Sequence, residues 1–171
     1  MQKECECIMF GKLKNLFSQP GITIASPVSG MVVPLTEVPD PTFAQGILGP
    51  GAAVQPSEGR IVAPANGTVD MMFDTGHAVS MPTSEGAELL IHVGIDTVNL
   101  KGQHYTAKCK SGDTVRKGDT LIEFDIDAIR EAGYEVVTPV IVCNPDAIAS
   151  VKTVDAGSVQ AGDDLLTLEK K

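Results

Sequence analysis

The chain has no basic cluster, no long apolar run and no disulfide framework, and each absence removes a class of function. Its apolar stretches fall well short of the roughly 18 residues that cross a bilayer, and no secretory signal with a long apolar centre is visible. Cys5, Cys7, Cys109 and Cys143 lack the spacing of a disulfide scaffold, which fits a reducing compartment. A cytoplasmic location is therefore expected. Thirteen Lys and Arg against 22 Asp and Glu leave a formal net charge of −9. Without a basic patch such a surface repels nucleic acid. It suits a basic protein partner, whose encounter opposite charge would speed, and it also serves solubility alone.

The sequence has 171 residues, 43% of them hydrophobic, a length that suits one domain with a single core. Residues 1–20 stand apart. "MFGKLKNLF" spaces Met9, Leu13 and Leu16 as an amphipathic helix would, yet a helix this short is marginal alone. The expectation is a flexible tail over 1–20 and one folded domain over 21–171. Within that domain, short runs rich in Val, Ile and Thr alternate with Gly, Pro, Asn and Asp. They include "ITIASPV", "GMVVPL", "RIVAP", "GTVDMMF", "HAVSM", "LLIHVG", "TVNL", "TLIEF", "VTPVIV", "SVKTV" and "LLTLEK". One short helix is expected in "DIDAIREAG", capped by Asp125 or Asp127 and closed by Gly133. The pattern predicts an all-β antiparallel sandwich or barrel. Two weak repeats support it: "SPVSGMVVPL" echoes "APANGTVDMM", and "SGDTVRKGDTLIEF" echoes "DAGSVQAGDDLLTLE".

The chemistry gathers at two of the three histidines. His77 and His92 flank "PTSEGAE", and a hairpin folded between Ser84 and Glu85 sets them opposite each other. Directly opposed residues share a face, with Cβ atoms about 5 Å apart. The pair has three readings. One ring is buried and the other incidental; or the pair binds a metal; or one ring is a nucleophile. A metal site lacks a third His or Cys at ligand spacing, and Met81 stands where a His-x-x-x-Asp motif would place its carboxylate. A neutral imidazole is a nucleophile near neutral pH without a separate base. Apolar neighbours hold it neutral, and Thr75 is placed to hold the His77 tautomer.

"GAELLIHVGIDTV" resembles the signature around the phosphorylated histidine of glucose-type enzyme IIA domains of the bacterial sugar phosphotransferase system. "VPDPTFAQGILGPGAAVQPSEGRIVAPANGTV", "TGHAVS", "GDTVRKGDTLIEFD" and "TPVIVCN" extend the likeness, which covers residues 22–170. The resemblance implies an antiparallel β-sandwich with Greek-key and jelly-roll features and one or two short helical turns. It implies that HPr phosphorylates His92 on Nε2 and that the phosphoryl group passes to a cysteine of a sugar-specific IIB domain. By the same likeness His77 stabilises the phosphoryl group and the transition state, and Thr75 orients His77. Asp40, Phe43, Leu48, Phe73, Val93, Asp96 and Asp146 match the partner-docking rim, though Phe43 and Phe73 read equally as core residues. Pro50 and His104 depart from the family pattern. Val79, Leu90 and Val93 are aliphatic where some members carry aromatics.

The likeness also sets expectations about cofactors and partners. No cofactor is expected beyond a covalent phosphohistidine, and no intrinsic metal. A weak zinc site at His77 and His92, completed by a partner, is the one exception it suggests. A monomer is expected, with regulatory protein targets as a further partner class and peripheral membrane contact through the tail. Two other classes compete: a zinc-dependent hydrolase of a related two-histidine sandwich, and a biotinyl or lipoyl carrier. The second lacks the modified-lysine motif such carriers need.

Overall fold

The computed structural model describes residues 21–171; the expectations for residues 1–20 lie outside them. Strands are numbered in chain order. The largest sheet runs β14 (Ser158–Val159), β2 (Gly30–Val33), β3 (Gly51–Pro56), β12 (Thr138–Val142), β8 (Glu88–His92), β7 (Ala78–Pro82) and β6 (Met71–Met72). Every neighbouring pair in it is antiparallel. A second sheet orders β1 (Ile22–Ala25), β15 (Asp164–Lys170) and β13 (Ile148–Thr153). A third pairs β10 (Thr114–Val115) with β5 (Gly67–Thr68), and a fourth orders β4 (Arg60–Val62), β11 (Thr120–Phe124) and β9 (Tyr105–Ala107).

One apolar cluster joins these layers, drawing Ile22, Ile61, Leu121, Ile122 and Leu166 from the smaller sheets and Val54, Leu89, Ile91 and Val140 from the large one. This is the sandwich that the alternation predicts. Ile91 and Leu89 are fully buried, and truncating either to Ala should cost about 2–5 kcal/mol. β12 inserts between β3 and β8, strands distant from it in sequence, a connection of Greek-key type.

The weak repeats are real. β14 pairs with β2 and β10 pairs with β5, with Val159 opposite Gly30 and Val115 opposite Gly67. The turns bond alike too: the amide of Gly162 donates to Ser26 as that of Gly118 donates to Ala63. Arg116 and Gln160 each donate a backbone N–H to the carboxylate three residues on, Asp119 and Asp163. Gly30 and Gly67 are required by close approach. A Cβ would lie 2.0 Å from the Gln55 carbonyl at one and 2.3 Å from the Pro82 carbonyl at the other.

Two local expectations need correction. "TVNL" is a 3-10 turn over Thr97–Leu100 rather than a strand, because Asp96 and Lys101 at its ends both adopt left-handed backbone. Helix α1 (Pro41–Ala44) went unread in sequence. Proline at its start and the Asp40 carboxylate, which accepts from the Thr42 amide, initiate it. Helix α2 (Ile126–Glu131) forms where expected, with Asp125 rather than Asp127 as its cap.

Candidate functional site

Strand β8 explains how a histidine sits among aliphatic residues. Leu89 and Ile91 point into the core, while Leu90 and His92 alternate onto the outer face. That face carries a second, smaller apolar cluster of Val38, Phe43, Ala53, Ile95, Val137 and Ile141, with Leu90 packed against it. Helix α1 brings Phe43 there, buried, with its ring 5.2 Å from that of His92. His92 therefore stands at the margin of a greasy hollow and remains partly open to solvent.

The hairpin register differs by one residue from the expected one. Ala78, not His77, lies opposite His92. The loop pivots on Glu85: Thr83 and Ala87 bond across it, and Gly86 takes left-handed backbone at φ +105°. This is a three-residue loop with glycine at its positive-φ position, instead of the tighter turn assumed. The rings meet nonetheless. His77 lies in the bend just before β7, outside the regular pleat, so strict alternation does not govern its side chain. The two imidazole centroids are 4.9 Å apart, edge to face at 78°. Phe73 closes the row on the far side, 5.4 Å from His77.

The hydrogen bonds assign the ring nitrogens. His92 Nδ1 lies 2.7 Å from the Gly94 carbonyl oxygen, which can only accept, so Nδ1 carries the proton and Nε2 holds a free lone pair. Gly94 is needed for this. It sits at φ +90°, and a Cβ there would meet Thr97 Cγ2 at 2.5 Å and the Glu135 carbonyl at 2.8 Å. His77 Nδ1 is bonded to the Thr75 hydroxyl. Burial first, and the neighbouring His92 second, depress His77 to about 4. Burial also pushes His92 below the ordinary imidazole value, opposed by the Gly94 carbonyl and the carboxylates of Asp40 and Asp96. Both rings are neutral at physiological pH, with a nucleophilic nitrogen on one and the other locked beside it.

The remaining expected residues divide. Asp40 and Asp96 bear electrostatically on His92, and Leu48 is exposed beside the more exposed Ile47 in the segment after α1. Val93 is not a rim residue. It is wholly buried, because a residue following the outward His92 must turn inward; that alternation was available in the sequence. Asp146 follows Cys143, whose amide bonds the Glu88 carbonyl at the opposite end of β8. Asp146 itself lies in the 3-10 turn Pro145–Ala147, and unlike Asp40 and Asp96 it does not act on His92. Gly94 has no role in the sequence reading, and its only signal there is a glycine two residues after His92.

Among the described residues no group of three or more His, Cys, Asp or Glu is placed to hold a metal ion, so a metal at this pair would need a ligand from elsewhere. No helix among them is long and apolar enough to cross a membrane. What the fold and site define is a β-sandwich presenting one nucleophilic imidazole braced by a second in an apolar depression. Residues 22–148 match the family described as phosphoenolpyruvate-dependent sugar phosphotransferase system, EIIA 1. The chain is 44% identical over 155 residues to a PTS system glucose-specific EIIA component of Oceanobacillus iheyensis, covering 88% of this chain and 94% of that protein. It is 46% identical over 145 residues to a PTS system beta-glucoside-specific EIIBCA component of Bacillus subtilis. That match covers 85% of this chain but 24% of the larger protein. In fold it is similar to the glucose permease IIA from Mycoplasma capricolum, with TM-score 0.81 and 29% identity over 86% of this chain and 96% of that one. The chain belongs to the EIIA 1 family and is a phosphocarrier of sugar uptake. The hydrolase and biotinyl or lipoyl alternatives find no support in these matches.

Proposed function

We propose that His92 Nε2 accepts a phosphoryl group from phospho-HPr and delivers it to a cysteine of a IIB domain, on the cytoplasmic side of a sugar permease. The observation that carries this reading is the bond between His92 Nδ1 and the Gly94 carbonyl at 2.7 Å, which leaves Nε2 unprotonated with its lone pair free for attack. The N–P bond to the donor breaks as the bond to Nε2 forms, and no proton need leave the acceptor because Nε2 carries none. His77 Nε2–H then donates to a phosphoryl oxygen while its Nδ1 accepts from the Thr75 hydroxyl. Such transfer depends on positioning and charge stabilisation more than on acid-base steps.

The exposed Ile47 and Leu48 with the half-buried Phe73 give a partner an apolar surface to dock on, backed by the buried Phe43 beneath it, and docking there excludes water from the phosphohistidine. Asp40 and Asp96 at its edge suit a basic partner face. No cofactor enters the cycle. The similar relatives are named for glucose and for beta-glucosides at 44% and 46% identity, so the choice of sugar lies with the permease. His92→Gln should abolish uptake of labelled phosphate from enzyme I and HPr. His77→Gln should still accept phosphate and fail in onward transfer. Normal labelling of the first variant would refute the assignment.

A further inference from the structure

We infer that Tyr105 is a positioning residue that holds the two histidine-bearing loops in fixed relation and so sets the His92 tautomer. The inference rests on His92 being the phosphoryl acceptor. Tyr105 opens β9, on the sheet opposite the histidines' own, yet it reaches both of their loops. Its hydroxyl donates to the Val93 carbonyl at 2.8 Å, and Thr97 Oγ1 donates to the same oxygen at 2.7 Å. Both acceptor positions of that carbonyl are then filled. The Val93 amide in turn donates to the His77 carbonyl at 2.7 Å. One residue, Val93, therefore joins the two histidine segments through its N–H and its C=O, and the next carbonyl along, that of Gly94, is the one that holds His92 Nδ1.

The other end of Tyr105 touches the His77 loop. A Cβ on Gly76 would lie 3.3 Å from Tyr105 Cβ, and one on Gly102 would lie 3.7 Å from the backbone of Thr75. The approach to Tyr105 is strained: Lys101 at φ 54° and His104 at φ 74° are non-glycine residues in left-handed backbone. Such conformations persist where surrounding contacts over-determine them, and they gather at functional sites. The ring is stacked on Phe124, with centroids 6.3 Å apart. Burial pushes the phenol up to about 12, so it remains a donor across the working pH range.

Tyr105→Phe removes the hydroxyl and keeps the ring stack. In the unphosphorylated protein, 15N chemical shifts should show His92 wholly Nδ1-protonated in wild type and a mixture of tautomers in the variant. kcat for phosphate uptake should fall about tenfold while KM for phospho-HPr stays within about twofold, as expected when a group acts through another. Thr97→Val, which removes the other donor to the same carbonyl, should shift the His92 signals in the same direction. In wild type alone the Tyr105 hydroxyl proton should be a slowly exchanging NMR resonance, a readout that needs no variant to fold. Unchanged His92 shifts and unchanged kcat in Tyr105→Phe, or a freely exchanging hydroxyl in wild type, would overturn the inference. Failure of wild type to take up phosphate would instead strike the phosphocarrier reading and leave the tautomer result standing.

Discussion

Lowering the pH from about 7.5 to about 5 should weaken the fold by about 2 kcal/mol through His77 alone. In the folded protein His77 is depressed to about 4 from its ordinary 6.5, chiefly by burial, the residue being 3% exposed. Above pH 6.5 the ring is neutral in both folded and unfolded chains and contributes nothing to the difference. As pH falls below 6.5 the unfolded chain binds a proton that the folded chain declines, and stability drops. The loss reaches about 3 kcal/mol at pH 4 and levels off below it at about 3.5 kcal/mol, since each pKa unit corresponds to about 1.4 kcal/mol. For a domain of this length, 2 kcal/mol corresponds to a fall in Tm of about 4–8 °C. Urea denaturation of wild type and His77→Gln at both pH values isolates the effect, because carboxylates titrate in both proteins. Wild type should lose about 2 kcal/mol more than the variant over this interval. Equal losses would show that His77 is not held neutral by burial, and the locked-ring account would fail.

Two substitutions probe the tautomer lock further. Gly94→Ala forces a side chain into left-handed backbone against Thr97 Cγ2 and the Glu135 carbonyl. It should cost about 3 kcal/mol and, by moving the carbonyl that holds Nδ1, slow phosphate uptake; thermal melts and a labelling time course check both. Thr75→Val removes the partner of His77 Nδ1. It should lower onward transfer about 10–100-fold with uptake little changed, as a two-step relay with a IIB domain would show.

Much of the sandwich was legible because its strands announce themselves locally. β7, β8, β11 and β15 are short runs rich in Val, Ile and Leu, of which β8 alternates strictly, and glycine, proline and aspartate punctuate them. β3 was not legible from its own pattern. "GAAVQP" has few β-branched residues and is a strand because Gly51 lets it lie against the Val140 backbone, where a Cβ would be 2.0 Å from the carbonyl. The histidine pair was found for a partly mistaken reason. A hairpin folded between Ser84 and Glu85 is one residue off the observed pairing, and a bend at His77, invisible in composition, restores the contact. Val93 matches the docking rim by resemblance, yet the outward His92 beside it forces it inward. Tyr105 and Gly94 could not be read from sequence. Each acts through a backbone carbonyl, and tertiary structure alone decides which carbonyl a side chain meets.

On this mechanism His92 Nε2 is the atom that carries the phosphoryl group. Phosphorylating 15N-histidine-labelled protein with enzyme I and HPr and recording phosphorus–nitrogen couplings by NMR tests it directly. The account predicts one coupling, to Nε2 of His92. Coupling to Nδ1 of that ring, coupling to His77, or uptake of phosphate with no coupling to any histidine would contradict it.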